Sequence, residues 1–152
     1  MRPRILRIAA LLLPLVTVIA SCAGDPTGTG TAGLRLANAE RRWNEAALAS
    51  YSFKSTINCF CLDTYRGPML VTVRQGTVTS VIDVASGAAR PLDFRTPIDM
   101  LFGLVRTELS ERPELLKTAF DSKLGFPTLI SYGEQALDGG GVITISDVVA
   151  VP

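Results

Sequence analysis

Between positions 50 and 62 the side chains alternate. Tyr51, Phe53, Ile57, Cys59 and Cys61 share one face, and Ser52, Lys54, Thr56 and Asn58 share the other, the period expected of a strand with one side against a core. Ahead of it the period changes. Leu36, Ala39, Trp43 and Ala47 recur at helical spacing within 34–48, leaving Arg41, Arg42 and Glu45 to face water. Residues 63–68 read as a turn, and 69–74 with 77–84 as a β-hairpin around Gln75-Gly76, where glycine supplies the positive φ of a tight loop. Thr96-Pro97-Ile98-Asp99 predicts a helix start, with Thr96 as N-cap and Pro97 as the first helical residue. Ile98, Leu101, Phe102, Val105 and Leu109 continue it as a stripe that ends before Pro113. Residues 115–120, 128–132 and 142–149 read as three more strands, separated by turns at 121–127 and 138–141. The order α-β-β-β-α-β-β-β, joined by short links, predicts an α+β fold: an antiparallel sheet with two helices packed on one face. No sequence repeat is visible, but the order leaves room for a structural duplication.

The first 33 positions follow a different logic. Arg2, Arg4 and Arg7 precede 13 uncharged residues, 8–20, interrupted by Pro14. A transmembrane helix needs about 20 apolar residues, so the stretch reads as an export leader. Ile19-Ala20-Ser21-Cys22 resembles the bacterial lipobox: an aliphatic residue, two small ones, and a cysteine whose thiol accepts a diacylglyceryl group before the leader is cut away. That resemblance implies a lipoprotein signal peptide over 1–21 and lipidation at Cys22. Palmitate-like chains, at ~0.8 kcal/mol per buried methylene, would then hold the protein to a membrane. Ala23 rather than Asp follows Cys22, which favours the outer membrane in a double-membraned cell. Residues 22–33 are expected to form a lipidated flexible tether, and 34–152 a single domain. The stretch 24–33 reaches at most ~35 Å when fully extended. Within it Gly28, Gly30 and Gly33 match G-x-G-x-x-G, but no buried strand precedes them to aim a helix at a pyrophosphate, so the spacing carries no nucleotide site.

Composition narrows the chemistry. Of 152 residues 47% are hydrophobic and 19% charged, which suits one packed domain. Three of the fifteen basic residues sit in the leader, leaving twelve against fourteen acidic ones, a net charge of −2. No basic block is present to attract nucleic acid. The chain has no histidine. That removes the commonest metal ligand and the usual general base near neutral pH, and with it Ser-His-Asp and Cys-His catalysis. Asp83, Asp93, Glu108 and Glu111 are scattered, and no Ser-x-x-Lys occurs. No catalytic residue, metal site or cofactor is assigned.

Cys59 and Cys61 are the main chemical candidates, because a close thiol pair outside the cytosol tends to oxidise. In an extended strand their Cα atoms would stand ~6.6 Å apart, at the outer limit for a disulfide, so a bond needs a bend, which the turn beginning at Asp63 offers. A structural disulfide, two core thiols, a thiol-redox pair and pairing with another chain all stay open. Zinc wants four ligands, and two thiolates fall short. The second candidate is the segment holding Asp121, Gly125, Phe126 and Pro127: a turn by composition, and a contact loop as the functional alternative.

Tyr-x-Phe at 51–53, Cys59-Phe60-Cys61, Arg66-Gly67-Pro68, the Val-Arg-x-Gly-x-Val hairpin, Thr96-Pro97-Ile98 and Asp121-x-x-x-Gly125-Phe126-Pro127 occur in this order. The set resembles a family of small exported bacterial proteins, domain of unknown function 6174, over roughly Trp43 to Val149. Phe120 stands where that family often has Tyr, and Ile143 replaces a Tyr in the last strand. The resemblance implies a single domain of this fold and no activity. The leading expectation is a non-enzymatic, membrane-anchored protein of the cell envelope, facing the periplasm or the cell exterior, that binds another envelope protein or component. A thiol-redox protein using Cys59 and Cys61, and a carrier of a small apolar ligand held between helices and sheet, are the alternatives.

Overall fold

The computed structural model describes residues 29–134 and 139–152. The expected leader, Cys22 with the tether as far as Gly28, and Asp138 of the last expected turn lie outside the described residues. Helix α1 spans Thr29–Ala46, so the last five residues of the expected tether, 29–33, are helical. Glycine costs about 1 kcal/mol relative to alanine in a helix, but the buried stripe of Leu36, Ala39 and Trp43 fixes the helix from which this first turn extends. Ala47 enters the left-handed region, with φ 49°, and ends α1 short of the expected position 48.

Strand β1 (Tyr51–Cys59) follows, then a 3-10 turn at Asp63–Tyr65, β2 (Gly67–Arg74) and β3 (Thr77–Asp83). In the hairpin between β2 and β3 both central residues take positive φ, Gln75 at 50° and Gly76 at 74°, as a type I′ turn requires. Glutamine was not expected to share that role. Its conformation is held from outside, since the Gln75 amide donates to Ser50 Oγ and that of Gly76 to the Ala49 carbonyl.

Helix α2 spans Ile98–Glu111 and stops before Pro113. The expected Thr96 cap is not used. Pro97 is the N-cap residue, and no side chain caps the helix locally. The first amide, that of Ile98, instead donates to the hydroxyl of Tyr51 on β1 at 3.0 Å, so a distant side chain satisfies a donor that every helix start leaves open. A short 3-10 turn at Pro113–Leu115 displaces the start of β4 to Lys117–Phe120, and β5 (Pro127–Tyr132) and β6 (Gly141–Ala150) complete the chain.

The six strands form one sheet in the order β3-β2-β1-β6-β5-β4, every neighbouring pair antiparallel. Two three-stranded meanders, each preceded by a helix, thus lie side by side and in the same order, joined where Ile57 pairs with Ile143 and Cys59 with Gly141. The register places Tyr51, Phe53 and Ser55 beside Val73, Val71 and Met69, and all six are buried. Alternate residues such as Lys54, Leu70 and Thr144 are exposed. One face therefore carries the core, with both helices upon it, and the other faces water.

Candidate functional site

At its far end β1 runs into the cysteine pair. The strand ends at Cys59, the chain bends, and Cys61 closes a disulfide to Cys59 with Cα atoms 5.2 Å apart. That is shorter than an extended strand allows and within the usual range for a bridge. Cys61 therefore does not continue the strand. The bend throws the intervening side chain outward: Phe60 is 75% exposed and Leu62, just beyond, 72%. Arg66 reaches back toward the bridge and lines the hollows on both sides of it. One, of about 400 Å³, is bounded by Phe60, Cys61, Leu62 and Arg66; the other, of about 250 Å³, lies against Asn58, Cys59 and Gly140.

Beneath this tip the loop is held firmly. Tyr65 stacks on Phe94 with ring centroids 4.1 Å apart, and Arg66 pairs with Asp63 at 3.3 Å. Arg95, buried, donates to the carbonyls of Phe94 and Gly67 at 2.7 and 3.0 Å. It thereby ties the loop before α2 to the start of β2. Burial lowers its pKa to about 10, and the guanidinium stays charged at neutral pH. At the end of β3 Asp83 accepts from Arg90 at 2.8 Å and from the amides of Ala85 and Ser86. These bonds hold its carboxyl well below the usual carboxylate range. A rigid base thus carries two exposed apolar residues. Spacing alone marks the cysteines but not Arg66, whose place depends on the bend.

The other candidate segment is built differently. Asp121 Oδ1 accepts from the amides of Lys123 and Leu124, and Gly125 takes φ 85°, so the turn forms as its composition implies. Gly125, Phe126 and Pro127 are buried, while Ser122 and Lys123 are exposed. A Cβ on Gly125 would stand 2.2 Å from the Ala39 carbonyl oxygen and 2.9 Å from Arg42 Cβ. The segment is packed against α1, and Arg42, expected in water, is half-buried there.

At the near end of β1 lies a cluster that periodicity does not single out. Tyr51 is fully buried and meets Trp43 edge to face at 5.2 Å. Trp43 Nε1 donates to Asp99 Oδ1 at 2.9 Å, and the Tyr51 hydroxyl donates to Asp99 Oδ2 at 3.4 Å. Burial pushes the Tyr51 phenol far above its ordinary pKa. Every polar atom of this group has a structural use, and Asp99 also favours the positive end of α2.

Among the described residues no group of three His, Cys, Asp or Glu side chains is placed to hold a metal ion, and no helix is long and apolar enough to cross a membrane. Cys22 lies outside the described residues. The sequence model of the family described as "Family of unknown function (DUF6174)" matches residues 35–150. No curated protein and no solved structure matches the chain.

Proposed function

The chain belongs to the family of unknown function DUF6174, and from that premise we propose that it is an exported, lipid-anchored protein that works by binding another protein of the cell envelope through its disulfide tip. The carrying observation is the exposure of Phe60 and Leu62 around the Cys59–Cys61 bridge. Aromatic residues and arginine are enriched at protein–protein contacts, and Phe60, Tyr65 and Arg66 supply both kinds within one loop. The arginine-led leader and the Ile19-Ala20-Ser21-Cys22 stretch support delivery to the membrane by acylation of Cys22.

Two measurements test this reading. Radiolabelled palmitate should enter the wild-type chain and not Cys22→Ser; equal labelling of both, or of neither, removes the anchor. A photoreactive residue at position 62 should give one reproducible crosslinked partner in intact cells, lost in Phe60→Ser, while the same probe at Lys54 on the open sheet face gives none. Equal yields from both positions would count against the tip.

A thiol-redox role is the second reading, favoured by the position of the disulfide at the surface beside Arg66. A partner dithiol would be oxidised to a disulfide as Cys59–Cys61 is reduced to two thiols, and a neighbouring guanidinium favours the thiolate that leaves. Cysteines that fail to equilibrate with a glutathione buffer would exclude it. The carrier alternative has less support, because Phe53, Val71, Leu101, Val105 and Ile130 fill the space between helices and sheet.

A further inference from the structure

Along α1, Arg35, Asn38 and Arg42 recur at i, i+3 and i+7 and so stand on one side of the helix. With Phe120 at the end of β4 and Ser122 in the turn after it, they line a pocket of about 370 Å³. Arg41, Arg66, Arg90, Arg106 and Arg112 each have a carboxylate partner. Arg35 and Arg42 have none within ion-pair distance among the described residues. Arg35 donates to the Thr118 carbonyl at 3.4 Å, which sets its guanidinium beside the edge strand. Arg42 Nε is buried with no hydrogen-bond partner. Asn38 accepts from Arg41 through Oδ1, leaving its amide NH₂ to donate, and Ser122 adds an exposed hydroxyl. The carboxylate nearest in sequence, Asp121, turns one oxygen into its own loop, toward the Lys123 and Leu124 amides at 2.9 and 2.6 Å. Glu40, on the other flank of α1, is engaged by Arg106.

The pocket therefore offers two guanidinium groups without counter-ions among the described residues, an amide and a hydroxyl, which is a donor set for an oxyanion. Its aromatic wall suits an anion that carries an organic substituent. We propose that this pocket binds a phosphate group, borne by a soluble phosphomonoester or by a lipid headgroup. The site stands without the lipid-anchor reading; with it, α1 follows directly on the membrane tether and a headgroup comes within reach.

The test uses full-length protein in nonionic detergent, with the arginine Nε–H groups followed by NMR at constant ionic strength set with chloride. Glycerol phosphate, inorganic phosphate and mixed micelles containing phosphatidylglycerol are titrated in turn. Saturable shifts of Arg35 and Arg42 are expected, with binding at least tenfold weaker in Arg35→Gln and in Arg42→Gln, while Lys123→Gln changes it less than twofold. Saturation by glycerol phosphate assigns a soluble monoester; saturation only by the phosphatidylglycerol micelles assigns the headgroup. No saturable shift from any of the three, or unchanged binding in the Arg35→Gln/Arg42→Gln double variant, overturns the proposal. Should an arginine variant fail to fold, Asn38→Ala and Ser122→Ala decide: each should weaken binding at least threefold, and unchanged binding in both also overturns it.

Discussion

The two ends of β1 are opposites. At Tyr51 a large ring is wholly inside, its hydroxyl starts α2, and Trp43 and Asp99 close around it. Nine residues later Phe60 is outside, and what holds it is a covalent bridge between its two neighbours together with the stacked and buried groups of the loop base. The same strand thus begins as the joint of the fold and ends as a display surface. Burying an aromatic ring stabilises a domain only if its polar atom finds partners, and Tyr51 has them. The Phe60 side chain has no polar atom and little burial, so the fold gains little from it, and its usefulness must lie in what touches it. The comparison makes a quantitative claim: changes at the first end should be read as stability, changes at the second as binding.

The strongest test is Tyr51→Ala. Removal of a buried aromatic ring costs about 3–5 kcal/mol, and here the Ile98 amide loses its acceptor as well. Urea unfolding monitored by Trp43 fluorescence should show it, and a loss below about 1 kcal/mol would mean that the joint carries no special weight. Tyr51→Phe keeps the ring and removes only the hydroxyl, for an expected loss of about 2 kcal/mol from the unpaired buried amide. The same substitution changes the response to alkali. Because burial raises the folded-state pKa of Tyr51 above its ordinary value of 10.0, the stability that depends on the neutral phenol is complete below pH 10. It falls as pH rises beyond that, by at most ~1.4 kcal/mol per pH unit. Tyr132 is raised in the same direction, by burial and then by Glu108, whereas Arg95, lowered to about 10 by burial, adds stability as pH rises through this range. The Tyr51 contribution is therefore the difference between wild type and Tyr51→Phe, and the variant should lose less. A wild-type stability that falls no more steeply than that of Tyr51→Phe between pH 10 and 11 would contradict the assignment.

This pair of ends also shows what a linear chain discloses. Alternation over 50–62 and the stripes at Leu36–Ala39–Trp43 and Ile98–Leu101–Phe102–Val105 reveal the strand, the helices and the buried face, because those periods are local. The antiparallel sheet of two meanders followed from short links. The pairing of β1 with β6, across more than eighty residues, did not, since no local period encodes which strands become neighbours. Thr96 looked like a cap by composition, yet the acceptor came from Tyr51, and only the tertiary fold brings a strand's first residue under a helix's first amide. Cys59 and Cys61 could be marked as a pair from spacing. The bend that turns Phe60 outward, Arg66's return to the bridge, and the burial of Gly125, Phe126 and Pro127 against α1 all depend on neighbours distant in sequence.

At the display end the effects should be smaller. Cys59 and Cys61 close a loop of only three residues, and a cross-link so short removes about 1.5 kcal/mol of unfolded-state freedom by chain-entropy reasoning. Cys59→Ser/Cys61→Ser should therefore unfold at modestly lower urea with an unchanged slope. A loss above about 4 kcal/mol would show that the tip folds as part of the core, and the distinction between the two ends would disappear.

The finest test exchanges the exposed apolar pair itself. Phe60→Ser/Leu62→Ser alters side chains that are 75% and 72% exposed, and surface changes away from caps, cavities and networks usually stay within about 0.5 kcal/mol. Thermal and urea midpoints should barely move. The apolar surface offered to a partner should nevertheless shrink, read directly as weaker fluorescence of an apolar dye such as anilinonaphthalene sulfonate with the native protein, and as loss of the crosslink from the tip. If the double variant instead unfolds easily while dye binding is unchanged, Phe60 and Leu62 are covered by their own domain. Both ends of β1 would then serve stability, and recognition would have to be sought on another face, with the Arg35–Arg42 pocket the first place to look.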